Sequence, residues 1–542
     1  MTRDIATQQG DMRMARLTGW TMVLAAVAAL SVTGPATAFE RENGHAVLVF
    51  SGGQAVPVLD PHVRYDWSTR MMQQSVYDAL AKYVDNPPRV IPWLAQSWDV
   101  SPDNTQWTFH LVANARFHDG TPLDAAAVKF SYQRALKLNK GVAWMLKDHL
   151  DADGIDVIDA RTVRFRLKHP YPAFISFVPW WYIVNPKQVL AHQEGDDLGE
   201  KWLTGAEAGS GPFRVKRWDP NAVMELEAVA DYWKGWPMPT DKRLAGVIYR
   251  IIREPAARKA ALQRGEIDIA TELTPDDYDQ LKTVKGLVVP DYPGMTTFDV
   301  KMNNQHGPTA DLNFRKALAY AFDYDAMIQI HNGAAAPLTS PFPTPLTYHI
   351  DVPGRPTHDV AKAKAFLAKT KWANGGVELE YIYVQGLEEE RRVGLAMLNA
   401  LQPLNIKVNL LAAPWTTMVA RGAKPETTSD LCAVYVTPVS TDPDVVAMQY
   451  HPSAEGQFWG MHHYNDPKVT QLIERARIEP DEAKRREEYA EIQRDIMADQ
   501  PEIFGVMPNR RWAMHDYVKG FVYSPVRLTG EVDFYPMWID AK

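Results

Sequence analysis

From Gly211 onward the chain repeats one pattern, a short β-branched run, a turn and then an amphipathic helix. Residues Glu254–Gln263 have helical spacing and stop at Gly265, and the run Ile267–Thr271 follows as a strand. Thr274-Pro275-Asp276-Asp277 then opens a helix, with Thr as N-cap, Pro in the first turn and acids beside the positive end of the helix dipole. Residues 387–401 place Val393, Ala396, Met397, Ala400 and Leu401 on one face, and the strand carrying Ile406, Val408 and Leu410 comes directly after. Asp466-Pro467 opens a helix with Val469, Leu472, Ile473 and Ala476, and a second helix over about 481–498 carries Tyr489, Ile492 and Ile496. Such alternation predicts α/β lobes in which helices cover both faces of a sheet.

The preceding stretch reads differently. A strand at Ala46–Ser51 runs into Gly52-Gly53, and a helix is expected across Thr69–Val84. Residues 98–111 and 155–167 alternate apolar and polar side chains about tight turns, the pattern of β-hairpins. Between them Asp124–Leu138 has helical spacing. The block 76–204 therefore reads as a compact α+β subdomain. With 542 residues, 46% of them hydrophobic, the chain can fill more than one core. Gly and Pro are scattered and form no linker, so the lobes are expected to interweave through short crossings.

The N-terminus carries Arg13 and Arg16, an apolar stretch from Trp20 to Val32, then Ala36-Thr37-Ala38. That is the layout of a cleaved export signal over residues 1–38, with a mature, periplasmic chain starting near Phe39. No cysteine follows the cleavage point, so a lipid anchor is not expected. A formal charge of −8 without a long basic run argues against nucleic acid as a partner. Cys432 is alone, which rules out an intrachain disulfide and fits an oxidising compartment.

The segments that could pass for enzymatic signatures each have a plainer reading. His118-Asp119-Gly120 is turn chemistry, and Glu266 and Asp268 share a strand face with no second acid pair or nucleophile near them. His462 and His463, with His451 upstream, are the best metal candidates, yet adjacent histidines on a strand point to opposite faces. No nucleophile elbow and no His-Glu-x-x-His helix occurs. No catalytic residue, metal or cofactor is expected; a secreted hydrolase is the alternative from another class.

Several segments, in order, carry a resemblance. They are Leu59-Asp60-Pro61, Tyr77-Asp78-Ala79-Leu80, Leu94-Ala95-Gln96-Ser97-Trp98 with Ser101-Pro102-Asp103, and Trp107-Thr108-Phe109 with Phe117-His118-Asp119-Gly120. Gly209-Ser210-Gly211-Pro212-Phe213, Arg258 to Gly265-Glu266-Ile267-Asp268, Phe314 to Ala321 and Asn465-Asp466-Pro467 complete the set. The chain thereby resembles the family 5 extracellular solute-binding proteins, the dipeptide, oligopeptide and nickel-binding group that feeds ABC importers. The resemblance implies a type II, two-lobed α/β periplasmic-binding-protein fold with an extra α+β subdomain on the N-terminal lobe. The expected division is a signal peptide at 1–38, N-terminal lobe at 39–75 and 205–297, subdomain at 76–204, C-terminal lobe at 298–509 and a return segment at 510–542. It further implies a monomer that binds its ligand between closing lobes, without covalent chemistry, and passes it to an inner-membrane permease and its ATPase subunits.

Ligand contacts are expected where strands end at the cleft. Trp415 follows the strand at 406–411, and Tyr435 and the loop Pro438–Asp444 follow the next strand; the two strands are expected to be parallel neighbours. Asp442 and Asp444 are candidate acidic anchors, Ser51 and Gly52 mark the matching edge of the N-terminal lobe, and Trp459 is a further candidate aromatic. The resemblance also implies an Asp for a ligand ammonium and an Arg for a ligand carboxylate, at positions held here by Val439 and by Val384 or Gln385. A buried ammonium or carboxylate without a partner is costly. A peptide-like solute is expected, with a plain zwitterionic dipeptide fitting less well than a longer or modified peptide. An oligosaccharide or a metal chelate is the alternative ligand, and a periplasmic sensor the alternative use.

Overall fold

The strand His45–Gly52 shows why the first lobe folds as it does. Six of its last residues in a row are buried, which suits a strand covered on both faces. Leu48 and Phe50 pack against Trp67, Met71, Tyr249 and Phe534, whereas Val49 packs with Ala261, Leu262 and Ile267 on the other side. Burying each such side chain contributes roughly 1.5–3 kcal/mol. Gly246–Ile251 and Ile269–Ala270 pair with this strand in parallel, and the late segment Ala513–His515 joins the same sheet in antiparallel sense. The computed structural model describes residues 44–540, and residues 40–42 by backbone alone. The export signal expected at 1–38 lies outside the described residues. No helix among the described residues is long and apolar enough to cross a membrane.

The subdomain is a four-stranded antiparallel sheet of Ala95–Val100, Gln106–Leu111, Thr162–Leu167 and Leu150–Asp159, in that order. Both hairpins lie where their alternation puts them. The helix Ala125–Leu138 is capped by Asp124, whose carboxylate accepts from Ala127 N at 3.0 Å. The helix expected across 69–84 is shorter, running Trp67–Val76, and Ala81–Val84 is a strand. Asp78 is the reason for the early stop. Its carboxylate is buried and accepts from Trp93 Nε1, Tyr232 OH, Trp233 Nε1 and Ser210 Oγ at 2.7–2.9 Å, a tertiary demand that overrides local helix preference.

The C-terminal lobe is a six-stranded sheet in the order 335–337, 502–508, 297–302, 431–436, 377–384, 406–413. Here one expectation fails: the strands at 406–413 and 431–436 are not neighbours, because Val377–Val384 lies between them and pairs in parallel with both. Its sequence, V-E-L-E-Y-I-Y-V, alternates as a half-covered strand should, and its first half buries Val377, Leu379 and Tyr381. Helix Glu388–Leu401 covers one face through Val393, Met397 and Leu401; helix Trp415–Arg421 covers the other through Met418.

Two chain crossings join the lobes and run side by side. Asp291 pairs with Arg511 and Tyr292 with Arg510 in a short antiparallel ladder, and Asn509 Nδ2 donates to Asp291 Oδ1 at 2.8 Å. A two-stranded crossing of this kind is a hinge of a few residues.

Candidate functional site

Strand direction locates the cleft. In the first lobe the parallel strands end at Gly52, Ile251 and Ala270; in the second they end at Val384, Ala413 and Val436. The crossing segments rise from those same edges, since Thr297 pairs with Val436 and the strand 502–508 ends where Arg510 begins the hinge. Both carboxyl edges therefore face each other across the hinge. In the second lobe the chain leaves strand 377–384 for 406–413 on one side and reaches 431–436 on the other. That reversal is a topological switch point, the place in an open α/β sheet where a ligand crevice forms. It lies beside Tyr435, Gln385 and Thr437.

The acids expected to anchor a ligand do something else. Asp442 accepts from Arg485 Nη1 at 2.9 Å and Nη2 at 2.7 Å, and from Asp444 N at 3.0 Å. Asp444 accepts from Tyr171 OH at 3.0 Å and pairs with Arg477 Nε at 2.8 Å. Burial pushes the Asp444 carboxyl up against the pull of Arg477. Burial opposes charge on Arg485 too, but Asp442 more than offsets it and holds the guanidinium charged. Both carboxylates are thus paired within the protein. Ser51 is fully buried and its hydroxyl donates to Arg250 O at 2.8 Å. Gly52 is a glycine for packing, because a Cβ there would lie 2.5 Å from the Trp67 ring.

The loop 438–444 does span the cleft. Tyr171 belongs to the subdomain, as do Ser176, whose Oγ accepts from Ser440 Oγ at 2.7 Å, and Tyr83, whose hydroxyl lies 3.4 Å from Thr441 N and Oγ1. His149 adds to this contact. It stacks on Tyr171 with ring centroids 3.6 Å apart, and its Nε2 meets Arg477 Nη2 at 3.1 Å. Burial, then the neighbouring Arg477, His169 and Lys168, push the His149 imidazole down to about 2, so it is neutral here. Val439, at the position where the resemblance implies an Asp, is buried in the apolar cluster shared by the subdomain and the C-terminal lobe. This whole contact is a latch between the two sides of the cleft.

The aromatic candidates form a line. Trp415 is 42% exposed and meets Phe458 at 5.2 Å between centroids; Phe458 meets Trp459 at 4.9 Å. Trp459 then reaches Trp144 of the subdomain at 6.5 Å, and Trp144 Nε1 donates to Tyr65 OH at 2.9 Å. Trp415 stands at the outer end of this line, on the rim. Tyr435 lies deep: it stacks on Phe298 at 4.1 Å yet keeps accessible surface. Burial raises its phenol, and Glu389 and Glu390 add to the effect. Sequence reasoning missed Trp144, Tyr65 and Arg510; the two aromatics carry no local signal because a distant loop brings them together.

The histidine candidates take different partners, and His451 Nδ1 lies 2.8 Å from Ser453 Oγ. His462 stacks on Tyr450 and accepts from Tyr464 N at 3.0 Å, while His463 Nε2 meets Thr428 Oγ1 at 2.8 Å. Among the described residues no group of three metal-type ligands gathers.

Residues 89–457 match the family model described as bacterial extracellular solute-binding proteins, family 5 middle. Escherichia coli K12 has a similar protein, named as a probable D,D-dipeptide-binding periplasmic protein, 29% identical over 488 residues and covering 89% of this chain and 92% of the relative. The di/tripeptide-binding protein 2 of Pseudomonas aeruginosa is 28% identical over 478 residues, covering 83% and 87%. Among solved structures, the Helicobacter pylori periplasmic binding protein DppA in complex with the peptide STSA superposes with a TM-score of 0.76 at 22% identity. That match covers 91% of this chain and 98% of the other.

Proposed function

The chain belongs to the family 5 bacterial extracellular solute-binding proteins, and from that premise we propose that it captures a peptide-like solute in the periplasm and hands it to an ABC importer. The observation that carries the reading is the facing pair of carboxyl edges across a two-stranded hinge, with a switch point beside Tyr435. That geometry serves capture: the lobes close on a ligand, and the latch of Tyr171, Ser440 and Arg477 holds them. Tyr435, Trp459 and Trp415 supply apolar faces for ligand side chains. The relatives named for dipeptides and tripeptides support a peptide over a sugar. Export by cleavage after Ala38 belongs to the same proposal, as do the monomeric state and the permease with its ATPase subunits as partners.

Small-angle scattering during titration with a mixed peptide library tests this. The radius of gyration falls as ligand binds, and the peptides are recovered intact. A radius that stays constant at saturation, or recovery of cleaved peptides, contradicts the reading.

A further inference from the structure

Among the described residues the buried arginines each meet a carboxylate or a set of backbone carbonyls, and Arg510 differs from them. Arg134 donates to both oxygens of Asp60 and to Leu198 O. Arg258 donates to the carbonyls of Ile252, Arg253, Thr271 and Glu272. Arg315 donates to the carbonyls of Thr309, Ala310, Asp499 and Gln500, and Arg485 holds Asp442 by two bonds. Arg510 has none of this. Its Nη2 donates to the Thr296 hydroxyl, its Nε meets no protein partner, and no carboxylate pairs with it among the described residues. Three tyrosines, Tyr523, Tyr435 and Tyr278, are the ionisable groups around it, and burial opposes its charge.

Position makes this informative. Arg510 sits in the hinge ladder opposite Tyr292, where the C-terminal sheet's carboxyl edge passes into the cleft. It lies deep between the lobes and still keeps accessible surface, as a side chain facing an internal cleft does. Around it are further hydroxyls. Thr296 Oγ1 is 2.7 Å from Thr437 Oγ1, and among the described residues the Tyr435 hydroxyl has no hydrogen-bond partner. A guanidinium without a counter-ion in a desolvated place is unfavourable by itself and becomes favourable once an anion meets it. A planar fork of donors beside hydroxyls suits a carboxylate.

We infer that Arg510 is the ligand's carboxylate anchor, set in the hinge with the hydroxyls of Thr437 and Tyr435 beside it. The inference rests on the solute-binding reading above. It puts the cation for the ligand carboxylate on the crossing segment, whereas Val384 and Gln385 offer no charge at the position ahead of the helix 388–401. An anchor in the hinge also ties ligand arrival to closure, since a carboxylate bridging Arg510 and Thr437 spans the crossing and the second lobe.

Calorimetric titration of the intact mature protein tests this with three probes: an acetylated tripeptide library with free carboxylates, the same library as C-terminal amides, and a panel of sugar acids. The free acids bind, the amides bind roughly 30-fold more weakly or worse, and Arg510→Gln brings the acids to the level of the amides while leaving the amides unchanged. Arg510→Lys retains part of the preference, which guards against a variant that merely misfolds. Amides that bind wild type as well as the acids overturn the anchor, as does an Arg510→Gln loss shared equally by both forms. If neither peptide form binds, the peptide reading fails. Sugar acids that then bind and weaken in Arg510→Gln keep the anchor, and binding by no carboxylate in any arm removes it.

Discussion

The loop 438–444 and the hinge segment at 508–511 both bring charge to the cleft, and they treat it in opposite ways. Asp442 and Asp444 each face an arginine of their own lobe, Arg485 and Arg477, within hydrogen-bonding distance. Arg510 faces hydroxyls and aromatic rings. A charge that is already paired shapes the protein and has little left for a ligand. A charge that is buried and unpaired is tolerated only where function supplies its partner. The two regions look alike in sequence, each being polar residues after a strand; only their partners differ.

Breaking the paired side gives the largest expected effect. Asp442→Ala leaves Arg485 buried without its counter-ion, which costs about 3–5 kcal/mol of stability. Urea denaturation reads this as a lower midpoint at unchanged slope. Arg510→Gln in the same assay changes stability by about 1 kcal/mol or less, because no ion pair is lost. If both variants destabilise equally, the contrast between the regions is wrong.

Next comes pH. His149 is held neutral within the latch, with its pKa pushed down to about 2 by burial and then by Arg477, His169 and Lys168. Freed from the latch, an imidazole titrates near 6.5. The closed form therefore binds fewer protons than the open one between those values. Its stability is fully present above about pH 6.5 and falls as pH drops below, approaching a factor of ten per unit. Asp444 faces the same contact with a carboxyl raised by burial and acts in the opposite sense, so the variant His149→Gln isolates the histidine. Ligand affinity measured from pH 7.5 to 5 weakens in wild type and stays flatter in His149→Gln. Equal slopes would remove His149 from the latch.

The smallest effect belongs to the rim. Trp415 is partly in water and, among the aromatic rings of the described residues, meets Phe458. Trp415→Ala is expected to cost about 1 kcal/mol or less in affinity, with stability unchanged, as rim contacts usually do. A loss several times larger in calorimetry would move the binding centre from the hinge toward the rim.

How much of this was legible depends on the range of the interaction. Helix starts were readable because caps are local: Asp124, Thr274, Asp466 and Asp481 each accept from a backbone N–H three residues on. Hairpins were readable from period-two alternation. The helix at 67–76 was overextended because Asp78, 15 residues from its nearest donor Trp93, is claimed by groups as far away as Trp233. Strand 377–384 escaped notice, and with it the order of the C-terminal sheet, since strand order is not written in any one segment. Asp442 and Asp444 looked like anchors because their arginines stand more than thirty residues later. Arg510 gave no signal at all: what sets it apart is a missing partner, which only three dimensions reveal.

The central claim is that this cleft holds an intact, carboxylate-bearing, peptide-like solute. Mass spectrometry of the small molecules released on denaturing natively purified protein tests it most directly. The account predicts roughly one equivalent of peptide-like material, uncleaved and with a free carboxylate. Release of a neutral oligosaccharide at the same stoichiometry would contradict it.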